Sequence, residues 1–374
     1  VQTCALPIFN LRAVDLVNMG LAREVDAPVL LIGDIDRGGV FAHLYGTVEL
    51  LEPSDRALIK GFIINKFRGD KSILDPGLEE MERRTGLPTL GVLPYLRDHG
   101  IPEEDSVVLD LPRTQADGAL LDIAVLRLPR ISNHTDFEPL QAEPGVAVRY
   151  VDAAAALGQP DLIVVLGTKS TMADLRFLRE SGLAAAVRRH AAAGRLVIGI
   201  CGGLQMLGTV IRDPDHVESD DAEAEGLGLL PLETVFDRDK TTEQAEAQVL
   251  AAPGLLAETV GAWVAGYEIH NGRTRVTGEA GPWLRITARG GWGSDGTDGL
   301  VNAAGNVAGT YLHGLFDADG FRAALLRGLA RAKGLTDFPN ATTAPKDDPF
   351  DRLADVLRSH LDLRRVYQIA GIDD

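Results

Sequence analysis

Of the two cysteines in this sequence of 374 residues, Cys4 and Cys201, the second stands where a nucleophile would. The segment Val197-Ile198-Gly199-Ile200-Cys201-Gly202-Gly203-Leu204-Gln205-Met206-Leu207-Gly208 runs an apolar strand straight into a cysteine followed by two glycines, and then into a helix. This is the cysteine form of the strand–turn–helix elbow that exposes a nucleophile on a tight turn. The glycines leave the sulfur unshielded, and the helix N-terminus brings unpaired N–H groups that favour thiolate over thiol. The competing reading is a buried core cysteine, the usual fate of a lone free thiol. Glycines directly after a buried strand fit that alternative badly.

A thiolate nucleophile needs a base. In Val307-Ala308-Gly309-Thr310-Tyr311-Leu312-His313-Gly314-Leu315-Phe316, His313 follows a short strand and precedes a glycine, where a catalytic loop residue would be placed. Cysteine and histidine need only meet in space, so their distance along the chain is no objection. An oxyanion also needs donors. The strand-end turn Leu166-Gly167-Thr168-Lys169-Ser170-Thr171 offers the backbone N–H groups of Gly167 and Thr168, to act with that of Gly202. For Gly167 the alternative is a plain turn glycine.

These residues need a layered α/β scaffold, and the patterning supplies one. In the first half, apolar runs suited to buried strands fall at 29–32, 61–64 and 90–93, with helical stretches at 41–51 and 76–85. Such alternation predicts a mainly parallel sheet. The polar segment 109–118, with Pro112 and Gly118, marks a domain boundary. A second alternation comes after it: strands at 122–126, 162–166 and 196–200, and helices at 172–180 and 183–193. An acidic loop spans 213–224, then strands at 264–269, 283–287 and 307–312 and a helix at 321–333. The tail 348–360 has the period of one more helix. The expected domains are therefore residues 1–115, 121–335 and a tail, 336–374.

Composition agrees with this plan and narrows the function. With 45% hydrophobic and 24% charged residues the chain is an ordinary globular protein of two or three domains. A net charge of -17 repels phosphate backbones and argues against nucleic-acid binding. Two cysteines make no disulfide framework, so a cytoplasmic setting is expected. No apolar run approaches the roughly 18 residues of a membrane span, and no secretory leader is visible. The chain opens on Val1, and Val1-Gln2-Thr3-Cys4-Ala5-Leu6-Pro7-Ile8 joins awkwardly to the residues after it, as a foreign junction would. Amplifying the gene across this point tests that; an unbroken frame encoding the same residues refutes it.

Cys201-Gly202-Gly203-Leu204-Gln205 together with His313 resembles the class I glutamine amidotransferases, in particular the branch that amidates cobyrinate and cobyric acid precursors. The resemblance implies that Cys201 attacks the side-chain amide of glutamine, that His313 protonates the departing ammonia and then activates water, and that Gln205 contacts the substrate glutamine. Most class members carry an acid two residues after the histidine, where this chain has Leu315. The branch thus looks like a Cys–His pair; Glu268, in Gly266-Tyr267-Glu268-Ile269-His270, is the candidate third member. Further stretches look like the cobyric acid synthase family: Asn10-Leu11-Arg12, Val17-Asn18-Met19-Gly20-Leu21-Ala22, Gly33-Asp34-Ile35-Asp36-Arg37-Gly38-Gly39-Val40-Phe41-Ala42, Ile64-Asn65-Lys66-Phe67-Arg68-Gly69-Asp70 and Ser132-Asn133-His134-Thr135-Asp136-Phe137.

The resemblance implies a fold as well: part of a P-loop, dethiobiotin-synthetase-like domain followed by a class I amidotransferase α/β domain. No phosphate-cradling glycine loop ending in Lys-Ser/Thr occurs in the sequence. Asp34, Asp36 and Arg37, at a strand end, are candidates for Mg²⁺ and for a phosphate or acceptor carboxylate; a solvated charged turn is the alternative. Asn65 falls where this fold reads adenine, or else it caps a turn. The implied partners are small molecules: ATP with Mg²⁺ as co-substrate, glutamine, and a corrinoid acceptor, adenosylcobyrinic acid a,c-diamide, whose cobalt is no cofactor of the protein. Without the glycine loop, the chain as written is expected to hydrolyse glutamine at most, and to lose stability in its front domain. The rival readings are a cobyrinic acid a,c-diamide synthase of the same branch and a non-catalytic amidotransferase-like binding module.

Overall fold

The computed structural model describes residues 18–96, 118–250, 252–336, 338–339 and 348–372. Residues 1–8, the Asn10-Leu11-Arg12 stretch and nearly all of the boundary expected at 109–118 lie outside the described residues. The chain divides into two compact units: Val1–Ile101 with Pro345–Asp374, and Pro102–Ala344.

The first unit is built on three parallel strands, β1 (Val29–Asp34), β2 (Ile59–Phe67) and β3 (Thr89–Pro94), in the order β1-β2-β3. Phe62 and Ile64 of β2 are fully buried among Leu31, Leu44, Val48 and Met81. The helix Lys71–Thr85 starts ahead of Pro76, because the Asp70 carboxylate caps it by accepting the Ser72 N–H at 2.9 Å. The tail differs from expectation. It forms two helices, Pro349–His360 and Leu363–Ala370, and belongs to the first unit. Between them the chain bonds to β3: Asp362 N–H donates to the Leu90 carbonyl at 2.8 Å, and Gly91 pairs with Leu361. A Cβ on Gly91 would stand 2.4 Å from the His360 carbonyl oxygen, so this close approach requires glycine.

The second unit carries a large mixed sheet. Its strands are β4 (Leu121–Leu126), β5 (Val146–Val151), β6 (Leu162–Val165), β7 (Leu196–Ile200), β8 (Val210–Arg212), β9 (Glu223–Glu225), β10 (Leu232–Val249), β11 (Trp263–Val276), β12 (Gly281–Arg289), β13 (Trp292–Val301), β14 (Val307–Thr310) and β15 (Leu312–His313). The order β15-β11-β10-β12-β13-β14-β7-β6-β4-β5 joins an antiparallel half to a parallel one, with β8 and β9 attached beside β10. The seam is β14 against β7, parallel, with Thr310 opposite Ile200. Strands β4, β6 and β7 are apolar on both faces, as a sheet covered by helices on both sides requires. Among the described residues no helix is long and apolar enough to cross a membrane.

Candidate active site

The seam between β7 and β14 positions Cys201 and His313. Cys201 ends β7, donates its N–H to the Thr310 carbonyl at 2.8 Å, and has φ 55°, a conformation that L side chains rarely adopt. The short helix Gly202–Leu207 starts at once. Gly203 permits it, since a Cβ there would stand 1.8 Å from the Val165 carbonyl oxygen. His313 sits on β15, just past β14, and its ring comes beside Cys201, whose thiol donates to the Ile269 carbonyl at 3.4 Å. Gly167, at the end of β6, closes the third side. A Cβ on it would lie 3.5 Å from both the Cys201 Sγ and the His313 Cε1, so any side chain there would fill the cleft between them.

Gly202 and Thr168 lie side by side: the Thr168 backbone nitrogen is 3.4 Å from where a Gly202 Cβ would stand. The Thr168 hydroxyl faces away, donating to Asp174 at 2.5 Å with the Arg130 carbonyl also 3.0 Å from it, and so fixes the turn that carries its backbone N–H. Gly167, Thr168 and Gly202 thus converge beside the sulfur, where an oxyanion would develop.

The Gln205 side chain is 2% exposed and donates to the Asn271 carbonyl at 3.0 Å and the Tyr311 hydroxyl at 3.2 Å. It ties the elbow helix to β11.

Glu268 does not meet His313 in the structure. Successive residues of a strand face opposite ways, and on β11 it is Tyr267 that faces His313, stacked on its ring at 5.1 Å between centroids. Glu268 points to the other side, where Arg289 holds both carboxylate oxygens at 3.0 Å. Glu268→Gln should leave the kcat of glutamine hydrolysis unchanged within about twofold. It should cost about 1–2 kcal/mol of stability, less than a fully buried pair because Arg289 is 36% exposed. Initial rates and a denaturant titration check both; a large fall in kcat would reinstate Glu268. Leu315 is fully buried in the core, so at that position packing stands in place of an acid.

What faces the far side of the His313 ring is Asp136, a residue that the chemical reading of the sequence passes over. Its Oδ2 lies 2.8 Å from His313 Nδ1, with both side chains almost fully buried. Burial alone would lower the pKa of His313. Its hydrogen bond to Asp136 and the neighbouring Cys201 prevail and push it up to about 10.

In the first unit, Asp34 ends β1 and Asn65 stands opposite it on β2. Partial burial works against ionisation of Asp34, but the Lys66 ammonium at 3.0 Å and the Asp36 N–H at 2.9 Å hold its carboxyl below the usual range. Asp36 pairs with Arg68 at 2.8 Å, Arg37 is exposed, and the Asn65 side chain accepts the Lys66 N–H at 2.8 Å, which is the turn-capping alternative. Both acids are already matched by cations, and the described residues hold no group of three His, Cys, Asp or Glu able to bind a metal. Nearby, a cavity of about 550 Å³ opens between Arg68, Lys71, Tyr95 and His360.

Residues 122–321 match the model of the CobB/CobQ-like glutamine amidotransferase domain, and residues 11–102 match that of the AAA domain. The chain is 48% identical to the cobyric acid synthase of Dehalococcoides mccartyi, over 96% of its own length and 71% of that protein. It is 49% identical to those of Pelotomaculum thermopropionicum (97% and 70%) and Photorhabdus laumondii (96% and 70%). Among solved structures, PurLQS of Thermotoga maritima aligns with a TM-score of 0.44 at 18% identity, covering 56% of this chain and 99% of that one.

Proposed function

The chain belongs to the cobyric acid synthase family, and from that premise we propose how its residues divide the work of a glutamine-dependent amidotransferase. The observation that carries the proposal is the meeting of the Cys201 thiol and the His313 ring against Gly167. The sulfur attacks the side-chain amide carbon of glutamine, and the carbonyl oxygen, turned oxyanion, is held by the backbone N–H groups of Gly167, Thr168 and Gly202. The His313 imidazolium gives its proton to the departing ammonia. The neutral ring then takes a proton from water, which attacks the thioester and releases glutamate. Gln205 and Tyr311 hold the elbow still while this happens.

Freed ammonia is useful only where a carboxylate has been activated. ATP makes a peripheral carboxylate of adenosylcobyrinic acid a,c-diamide into an acyl phosphate, which ammonia converts to the amide. The AAA-domain match to residues 11–102 supports nucleotide use by the front domain. There Asp34, Asp36, Arg37 and Asn65 crowd the C-terminal ends of β1 and β2, where parallel α/β sheets bind ligands. The reaction is that of a cytoplasmic biosynthetic enzyme acting on small molecules in the making of cobalamin. The test is to supply the protein with glutamine alone, then with ATP, Mg²⁺ and the corrinoid. Glutamate release is expected in the first mixture, and the second asks whether this chain, in whose sequence no phosphate-cradling glycine loop ending in Lys-Ser/Thr occurs, also yields amidated corrinoid with ADP. No glutamate in either would refute the role of Cys201. Amidation of cobyrinic acid in place of its a,c-diamide would move the chain to the sister activity.

A further inference from the structure

We propose that Asp136 is the positioning residue of the glutaminase site, holding the His313 ring by its Nδ1–H in place of the acid that other class I amidotransferases carry after the histidine. The inference rests on the glutaminase reading of Cys201 and His313, and it concerns a residue 177 positions upstream of the base it serves.

Three observations carry it. The contact is direct, 2.8 Å from carboxylate oxygen to ring nitrogen, with the side chains 4% and 1% exposed. A carboxylate buried that deeply beside an imidazole, with little water to compete, fixes which ring nitrogen carries the proton and leaves Nε2 for chemistry.

The second observation is that the protein builds a dedicated mount for it. After β4 the chain runs beside the oxyanion turn: Ser132 N–H donates to the Gly167 carbonyl at 3.1 Å and Lys169 N–H to the Arg130 carbonyl at 3.0 Å. Asn133 then enters the left-handed region at φ 57° and opens a single turn of 3₁₀ helix, His134–Phe137. Fully buried Phe137 packs on Phe316 at 5.9 Å between ring centroids, three residues past the base. One short segment therefore clamps both the oxyanion turn and the histidine strand.

The third observation is that, among the described residues, no other acid makes this contact. Glu268 is taken by Arg289, and position 315 is an apolar leucine. The charged and titratable groups around the ring are Cys201 from the elbow, Asp136 from the 3₁₀ turn, Tyr267 from β11, and Asp317 from the loop beyond, with Arg322 and Glu138 behind it. Burial, then the charge of Asp136, pushes the Asp317 carboxyl up to about 6. Asp136 is the one of these acids bonded to the ring.

The experiment compares Asp136→Asn and Asp317→Asn with the unaltered protein by glutaminase kinetics across pH, and follows His313 by NMR of the histidine ring nitrogens. An asparagine at 136 keeps the shape but loses the charge, and its amide N–H turned toward Nδ1 would favour the wrong tautomer. The kcat of Asp136→Asn should fall by about 10²–10⁴-fold while KM for glutamine stays within about twofold. The alkaline limb of its pH profile should move to lower pH by about 1–3 units, the effect of removing an adjacent opposite charge. Asp317→Asn should leave the His313 titration near that of the unaltered protein. An unchanged kcat, a change in KM alone, or a shift in Asp317→Asn but not Asp136→Asn would overturn the proposal. Should Asp136→Asn fail to fold, the unaltered protein decides. Protonation of Nδ1 through neutral pH with a titration well above the ordinary histidine value sustains the role, and an ordinary titration refutes it. Absence of glutaminase activity in the unaltered protein would sink the parent reading instead, and the NMR titration keeps the two failures distinct.

Discussion

Cys201→Ser should reduce glutamine hydrolysis by ~10⁴-fold or more while the protein unfolds at nearly its normal denaturant concentration. Serine keeps the shape of the elbow, and the N–H bond to the Thr310 carbonyl does not involve the side chain. A serine hydroxyl holds its proton far more tightly than a thiol, and its oxygen is a poorer nucleophile toward an amide beside a histidine adapted to sulfur. The companion variant Cys201→Gly separates strain from chemistry. With φ 55° and ψ -115° the native residue occupies a region that costs of order 1–3 kcal/mol for any residue with a Cβ. The glycine variant should therefore be equally inactive yet more stable than the original, by about 1 kcal/mol. Chemical denaturation together with a glutamate-release assay reads both. An active serine variant would remove Cys201 from the mechanism, and a glycine variant no more stable than the serine one would show that the turn holds no strain.

The second large effect is expected at a residue that does no chemistry. Gly203→Ala should destabilise the second unit by about 3 kcal/mol and abolish most glutaminase activity. The added Cβ would lie 1.8 Å from the Val165 carbonyl oxygen and 2.6 Å from its carbon, both backbone atoms with no rotamer to escape into. Overpacking of this kind costs ~1–3 kcal/mol, and more where backbone must shift. The shift would separate β6 from the elbow helix and draw the Gly167 turn away from the sulfur, so activity should fall further than stability implies. Gly320→Ala serves as the control. Nothing lies within 4 Å of its Cβ position, and it stands in the helix Asp319–Ala332, so alanine should be neutral or slightly stabilising there. A Gly203→Ala protein with normal melting and normal activity would mean that the elbow has slack the close contacts deny.

How much of this is written locally depends on what each residue relies on. The elbow declares itself because a tight turn demands glycine next to the nucleophile, and strand, turn and helix are contiguous in the chain. His313 is legible for a similar reason, at a strand end beside Gly314. Asp136 carries no such mark. It lies in a polar stretch without periodicity, and what makes it functional is the packing of Phe137 on Phe316, which no local pattern encodes. Glu268 misleads because a neighbour in register with the histidine strand is near it in space yet faces away. Strand β10 escapes a reading of the sequence because its middle, Asp237-Arg238-Asp239-Lys240, is charged, exposed from Arg238 on and ion-paired with the solvent-facing Arg273, so no apolar run forms. Strand β13, with Gly293, Asp295, Gly296, Asp298 and Gly299, reads as turns until its neighbours β12 and β14 impose extension. The second tail helix is short, and β3 supplies the partner that fixes its start at Asp362.

The pairing of Leu361 with Gly91 has a consequence for the order in which the molecule is made. Synthesis is directional, and domains generally fold as units as they emerge from the ribosome. The amidotransferase unit is one unbroken span of chain, so every strand of its sheet is made before Pro349. The first unit is split around it: β3 waits for its partner until the segment around Leu361 has been made. Of the two units, the one begun first is thus completed second. A nascent chain stalled before Pro349 would carry a finished glutaminase beside a sheet that still offers open backbone groups to whatever strand comes near.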